Sequence, residues 1–213
     1  QKQSSPGKGG EAALKILTVS DEESPYLWDY YKPGRLAGLD LILSAGDLKA
    51  SYLSFLVTMA NRPLLYVHGN HDGSYATHPP EGCDSIEDTL VTVNGMRILG
   101  LGGSQMYSRG PHQYTERQMQ RRIQRLTLKI RRAGGVDIVL AHAPVRGYGD
   151  EDNITHRGFE AFIPLLDKYR PRYFIHGHVH KSYSAGTFER IRRYGDTLLI
   201  NASERYILDT DEL

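Results

Sequence analysis

Short apolar runs recur along the chain and alternate with longer polar or mixed segments. Runs that are rich in leucine and β-branched residues predict buried strands. The predicted strands are Leu14–Val19, Leu39–Ser44, Leu64–Val67, Val136–Leu140 and Tyr173–Ile175. Between the second and third of these runs, the apolar residues of Ser51–Met59 follow helical spacing. Strand, helix and strand at intervals of about 25 residues are typical of βαβ units, so we expect a mainly parallel sheet.

The middle of the chain carries strong local signals for a hairpin and for a helix. Two apolar runs in Leu90–Leu99 flank Asn94 and Gly95, and this pattern predicts a two-residue β-hairpin. Thr115 opens a predicted helix, and Gln118, three residues later, completes a capping box. We expect the apolar stripe of this helix to face a sheet.

Three other segments have weaker patterns. Ser74–Asp88 is rich in proline, glycine and acidic residues, which predicts a loop. Arg157–Tyr169 predicts a helix that Pro164 would weaken or kink. The tail, Ala185–Leu208, alternates enough to predict two or three antiparallel strands.

Length and composition predict one domain in a reducing compartment. We place it at residues 11–213, after a polar segment, Gln1–Gly10, that we expect to be disordered or left over from cloning. Cys83 is the sole cysteine, which excludes an internal disulfide and favours the cytoplasm. No apolar run approaches the about 20 residues that span a bilayer, so we expect no membrane partner. The net charge of +1 does not point to nucleic acid or to an acidic partner.

Polar side chains follow the ends of five predicted strands. They are Asp21, Glu23, Asp47, Asn70, His71, His142, His178 and His180. Sites in open α/β sheets form at the carboxyl ends of strands, so these side chains should converge. Gly177–His180 is predicted to continue its strand, and alternation then puts both of its imidazoles on one side, where each could bind a different metal ion. Carboxylate, amide and imidazole donors suit Mn²⁺, Fe or Zn²⁺, and their number suits two ions that share a carboxylate.

The ordered series SDEE, GD, GNHD, AHAP and HGHVH resembles the calcineurin-like metallophosphoesterases, particularly their small bacterial cytoplasmic members. The resemblance extends from Leu14 to about Ala202. It implies an α/β fold, a four-layer α/β/β/α sandwich with two central mixed β-sheets. It also implies a binuclear phosphoesterase, in which a metal-bridging hydroxide attacks a phosphodiester or a phosphomonoester. The expected partner is therefore a small phosphate-ester substrate.

The resemblance implies a role for each residue of the series. Asp21, Asp47 and His180 would hold the first ion, and Asp47, Asn70, His142 and His178 the second. His71 would donate a proton to the leaving oxygen. The family has histidine where this chain has Glu23, whose carboxylate is a candidate ligand. It would favour harder ions, so we expect Mn²⁺ ahead of Fe, Zn²⁺ or Mg²⁺.

Three residues next to these motifs have a structural and a functional interpretation. Asp72 would support a metal ligand by hydrogen bonding, or it is a solvated turn acid. His156 and Arg157 would bind the substrate phosphate from the start of the predicted helix, or they simply occupy that start. We take the supporting role for Asp72 and substrate binding for the other two.

Two alternatives to a small-molecule phosphoesterase remain. The first is a non-catalytic metal-binding scaffold or interaction protein of the same fold; Glu23 favours it, and His71 argues against it. The second is a nuclease, because the helix that begins at Thr115 carries a run of arginine and lysine. Such runs are mostly solvated faces, so nucleic acid is the less favoured partner.

Overall fold

The computed structural model describes residues 13–180 and 188–212. Its strands are β1 (Lys15–Val19), β2 (Leu41–Ser44), β3 (Leu64–Tyr66), β4 (Asp84–Ser85), β5 (Leu90–Val93), β6 (Met96–Leu101), β7 (Ser104–Gln105), β8 (Gln113–Tyr114), β9 (Ile138–Ala141), β10 (Tyr173–His176), β11 (Ile191–Tyr194), β12 (Thr197–Asn201) and β13 (Tyr206–Asp209). The helices are α1 (Ala50–Ala60), α2 (Glu116–Arg132) and α3 (Phe162–Tyr169), with a 3-10 helix at Asp72–Ala76.

Two large mixed sheets dominate the fold. The first has five strands in the order β13-β1-β2-β3-β4, and only β13 runs antiparallel to its neighbour. The second has six strands in the order β11-β12-β10-β9-β6-β5, with antiparallel strands at its two edges. Strands β7 and β8 form a separate two-stranded sheet. The expected α/β class with two central mixed sheets is confirmed.

Alternation along each buried strand explains the layers. In β2, Leu41 and Leu43 belong to the core between the two sheets, while Ile42 belongs to the core that includes the inner face of α1. In β9, Ile138 packs between the sheets, and Val139 packs with residues of α2 and α3. Strands covered on both faces are mostly apolar, which is why their sequences are nearly continuous apolar runs.

The predicted hairpin and capping box are both confirmed. Strands β5 and β6 pair antiparallel around Asn94 and Gly95, whose φ values are 50° and 83°. The positive φ of both residues fits the two-residue turn that the pattern predicts. At the start of α2, the Gln118 N–H donates to Thr115 Oγ1 at 3.3 Å, and the Thr115 N–H donates to Gln118 Oε1 at 2.7 Å.

Two predictions about the C-terminal half were wrong in detail. Helix α3 begins at Phe162 rather than at Arg157, so Pro164 is its third residue. A proline there removes an N–H that has no partner within the helix, so it is compatible with the first turn of α3. Strand β10 ends at His176, and His178 has a φ of 69°, so Gly177–His180 does not continue the strand.

The described part of the tail contains three strands, and they are divided between the two sheets. Strands β11 and β12 form an antiparallel pair, β12 also runs parallel to β10, and β13 pairs with β1 in the other sheet. The predicted loop Ser74–Asp88 includes most of the 3-10 helix and β4. Residues 1–10, and 185–187 of the predicted tail, lie outside the described residues. Within the described ranges, no helix has the length and apolarity needed to cross a membrane.

Candidate metal centre

The loops that follow β2 and β3 are packed backbone against backbone. Gly46 has a φ of 95°, and a Cβ on it would collide with the main chain of Gly69. A Cβ on Gly69 would in turn collide with the carboxylate of Asp47. Glycine at both positions therefore lets Asp47, whose own φ is 58°, approach the turn that carries Asn70.

Three donor side chains surround the Nε2 atom of His142, which is itself a fourth donor. Asn70 Oδ1 and His178 Nδ1 both lie 3.1 Å from this atom, and Asp47 Oδ2 lies 3.3 Å from it. Asn70, His142 and His178 are buried. Two oxygen donors and two nitrogen donors thus face one small volume where the two sheets end.

The hydrogen bonds on the far side of each ring assign the tautomers. The Nδ1 atom of His142 lies 2.7 Å from the carbonyl oxygen of Ala45, so this nitrogen carries a proton and donates. The Nε2 atom of His178 donates likewise to the carbonyl of Thr155 at 2.6 Å. Two unprotonated ring nitrogens then face each other at 3.1 Å. Two facing lone pairs repel each other, so either a proton on one of the two nitrogens or a bound cation is needed between them.

The electrostatics of the cluster agree with a cation site. Burial would raise the pKa of Asp47, but His142 and the N–H of His71 hold this pKa well below its usual range. Burial would lower the pKa of His142, but Asp47 and Asp21 raise it to about 9. Without a metal ion, a proton on His142 supplies the missing positive charge, and a bound ion would replace that proton.

Ligand atoms of Asp47, His142 and His178 all lie within 4.8 Å of one another. Carboxylate and imidazole donors without a thiolate suit borderline divalent cations such as Mn²⁺, Fe²⁺ or Zn²⁺. The residues present therefore fit a divalent metal ion. Asn70, whose Nδ2 donates to Tyr107 Oη at 2.9 Å, presents its oxygen to the same volume.

Asp21 and His180 lie next to this cluster but are not part of it. Asp21 accepts from the N–H of His178 at 2.9 and 3.0 Å and from Ser20 Oγ at 2.5 Å. Burial raises the pKa of Asp21, against the opposing charges of His142 and His180. His180 Nδ1 lies 3.4 Å from Glu22 Oε1. Asp21 therefore holds the turn that carries His178 by hydrogen bonds, and the carboxylate of Glu22 lies beside His180.

The structure does not bring Glu23 to the cluster. Its Oε1 accepts the main-chain N–H of Lys49 at 3.1 Å, and its Oε2 lies 3.6 Å from Lys49 Nζ. Lys49 is the residue just before α1 and has no side-chain cap of its own. Glu23 therefore ties the first loop to the start of α1, and Glu22 is the acid beside His180.

We expect Glu23→Ala to leave the metal content unchanged, because the carboxylate binds Lys49 rather than the cluster. The free energy of unfolding should fall by no more than about 1 kcal/mol, as is usual for partly exposed ion pairs. Elemental analysis and thermal unfolding measure the two effects. Glu22→Ala is the matched comparison, and a larger loss of metal in Glu23→Ala than in Glu22→Ala would contradict this assignment.

His71 and Asp72 support the cluster in different ways. The N–H of His71 donates to Asp47 Oδ1 at 2.8 Å, while its imidazole is exposed and lines an open cleft of about 220 Å³ with Lys49 and Ser74. Asp72 Oδ2 accepts the N–H groups of Gly69 at 2.7 Å and Asp47 at 2.9 Å. Burial raises the pKa of Asp72 to about 6. Asp72 thus holds the two loops together by hydrogen bonds.

His156 and Arg157 lie in the loop before α3 rather than at its first turn. The His156 ring centroid is 5.4 Å from that of His178, and its Nδ1 is 3.3 Å from Glu151 Oε2. Arg157 Nη2 donates to the carbonyl of Asp152 at 3.4 Å. His156 therefore borders the cluster, whereas the contacts of Arg157 lie within its own loop.

Several contributors to the site gave no sequence signal. The carbonyls of Ala45 and Thr155 orient the two histidines, and Tyr107 orients Asn70. Main-chain carbonyls have no side-chain pattern, and Tyr107 lies in a glycine-rich loop without periodicity. Lys49, beside the cleft, follows Asp47 by two residues and could have been identified by that proximity.

Three solved structures are similar to this chain at low sequence identity. TT1561 of Thermus thermophilus has a TM-score of 0.61 and 17% identity, over 91% of this chain and 90% of that one. GAP50, described as the anchor in the inner membrane complex of Plasmodium, has a TM-score of 0.50 and 14% identity, over 90% and 71%. Vps29 of Entamoeba histolytica, complexed with Zn²⁺, has a TM-score of 0.43 and 15% identity, over 89% and 74%. At these identities the likeness to TT1561 and GAP50 concerns the fold alone.

Sequence comparison assigns the family. No match was found among curated protein sequences. The family model described as calcineurin-like phosphoesterase matches residues 19–182, which is most of the chain and includes every residue of the metal-ligand cluster. The chain belongs to the calcineurin-like phosphoesterase family.

Proposed function

We propose that this protein is a metal-dependent phosphohydrolase that cleaves a phosphodiester or a phosphomonoester of a small molecule. The observation that carries the proposal is the convergence of Asp47, Asn70 and His178 on His142 Nε2, within 3.3 Å. The family to which the chain belongs supports the same reaction class. Mn²⁺ is the cation that we favour, because carboxylate and amide oxygens join the imidazoles.

In this proposal the four converging side chains hold one divalent ion. A second ion would share Asp47 and use Asp21 and His180. The charges of His180 and Asp47 already influence the pKa of Asp21. Bound divalent ions supply Lewis acidity and neutralise the charge that develops on the phosphoryl group. Asp72 keeps the loop of Asp47 in place through its hydrogen bonds to two main-chain N–H groups.

His71 is the residue that we propose as the proton donor to the leaving oxygen. Its main chain is held by Asp47 Oδ1 at 2.8 Å, and its imidazole is exposed at the cleft beside the cluster. The main chain of His71 is therefore held in place, and its imidazole is accessible to a substrate in the cleft. A general acid must lie within hydrogen-bond reach of the leaving oxygen. Lys49 lines the same cleft, where its ammonium group is paired with Glu23.

We expect hydrolysis of bis-p-nitrophenyl phosphate with added Mn²⁺, and its loss after treatment with EDTA. Elemental analysis of the same sample should show the metal bound, and re-addition of Mn²⁺ should restore turnover. A panel of monoesters and diesters then assigns the preferred substrate class. Bound metal without turnover on any member of the panel would contradict the proposed hydrolysis.

One observation favours a second candidate, a non-catalytic metal-binding scaffold or interaction protein of the same fold. In the described ranges, only Asp47, His142 and His178 form a cluster of three potential ligands. Glu23, at the family's histidine position, is bound to Lys49 instead. A single bound ion per chain together with no turnover is the result that this candidate predicts.

A further inference from the structure

Helix α2 concentrates positive charge that the candidate site does not use. It contains seven basic residues and one acid, Glu116, which is a formal charge of +6 in a chain whose total is +1. The rest of the chain is therefore net acidic. A charge asymmetry of this size within one small domain indicates a surface for an anionic partner.

Four basic side chains of α2 form a continuous row. Arg117, Arg121, Arg125 and Lys129 are spaced four residues apart and all are exposed. The row is about 18 Å long, at about 1.5 Å of rise per residue. In the part of the chain that the structure describes, none of the four forms an ion pair, and Lys129 Nζ contacts only the neutral Thr89 Oγ1 at 3.3 Å. Their charges are thus available to a partner.

The row borders a concave surface rather than a plain convex face. Arg121, Arg122 and Arg125 line a cavity of about 260 Å³ together with Tyr114 and Asp88. Arg122 is buried and already paired with Glu87 and with Asp88, the latter at 2.7 Å. Arg121 and Arg125 are exposed at the same cavity, so their guanidinium groups can turn to an anion placed there.

The row begins at the edge of the sheet where the candidate metal centre lies. Strands β6 and β9 are parallel, so their carboxyl ends share one edge, and His142 follows β9 directly. Helix α2 lies between these two parallel strands in the sequence, so it runs from the edge with their carboxyl ends back towards the edge where β9 begins. Arg117 is therefore at the end of α2 nearer to the centre, and Lys129 is at the far end.

We propose that this row binds the phosphate backbone of a nucleic-acid strand. A guanidinium group can donate two parallel N–H···O hydrogen bonds to one phosphate, and three of the four side chains are arginine. A membrane-surface helix would insert its apolar side, but here Met119, Leu126 and Ile130 are buried in the fold. A protein partner would need an apolar centre, and α2 exposes one large apolar side chain, Leu128, at 54%. This inference goes beyond the proposed hydrolysis and does not depend on it.

We expect a fluorescein-labelled single-stranded oligonucleotide to bind the full chain in a fluorescence anisotropy titration. Arg121→Gln with Arg125→Gln should weaken binding on the order of tenfold at low salt, and should reduce the slope of log K against log salt by about 1.4. Glutamine is a good helix former, so α2 should remain folded. EDTA in the buffer prevents hydrolysis, so binding is measured whether or not the proposed reaction exists.

Lys32→Gln with Arg193→Gln is the matched control, because it removes the same charge from exposed positions outside α2. The control should bind as the unaltered chain does. Equal weakening in the two double variants would overturn the proposal, since the attraction would then be general. Binding to phosphatidylserine vesicles without binding to the oligonucleotide would also overturn it, as would the absence of binding to the oligonucleotide at low salt.

Discussion

Replacing His71 with alanine should slow the hydrolysis of an ester with a poor leaving group by about 10²–10⁴-fold, without loss of metal. The imidazole is exposed at the cleft and does not belong to the ligand cluster. Its loss removes the proton donor and leaves the donor atoms of the cluster in place. An ester of p-nitrophenol should be affected little, because p-nitrophenolate departs without protonation.

His78→Ala is the control for this variant. His78 is exposed in the same segment of the chain, and its ring contacts Thr77 at 2.9 Å. Rates for a series of esters, plotted against the pKa of the leaving group, measure the effect. A steeper dependence in His71→Ala than in His78→Ala supports the assigned role. The same loss for every leaving group, or a loss of bound metal, would refute it.

Replacing Asp47 with asparagine should remove metal and activity together. Asp47 supplies the carboxylate of the three-residue cluster, and asparagine keeps its size but loses its charge. Asparagine also tolerates the φ of 58° at this position, so the loop should keep its conformation. We expect metal affinity to fall by more than about 100-fold, which is the upper end for residues that only support a ligand. Isothermal titration with Mn²⁺ measures this directly.

Asp88→Asn provides the matched control for Asp47→Asn. Asp88 is also an aspartate in the left-handed region, with a φ of 50°, but its carboxylate pairs with Arg122 at 2.7 Å. This variant should bind Mn²⁺ as the unaltered chain does. If Asp47→Asn kept both its metal and its turnover, Asp47 would not be a ligand and the proposed centre would be wrong.

Features whose contacts are local could be predicted from the sequence. Asn94 and Gly95 define a hairpin, and Thr115 and Gln118 define a helix start, because the hydrogen bonds involved close within a few residues. The buried strands were equally predictable, because a strand covered on both faces is a nearly continuous apolar run. The position of the metal centre at the carboxyl ends of the strands was also predictable, because parallel strands end at a common edge of the sheet.

Which donor atoms meet depends on contacts between residues that are far apart in the sequence. Glu22 and Glu23 are adjacent and chemically identical, yet Glu22 lies beside His180 and Glu23 binds Lys49. The turn at His178 depends on Asp21, which is 157 residues away and accepts its N–H.

The boundaries near the site were decided in the same way. Helix α3 begins at Phe162, after Phe159 has paired with Val145 in a bridge. The tautomer of His142 depends on the carbonyl of Ala45, 97 residues away. No local pattern records such contacts, because they form only when the two sheets pack together and bring distant loops to one edge. The sequence therefore determined the elements and the edge where they converge, and tertiary packing determined the geometry of the centre.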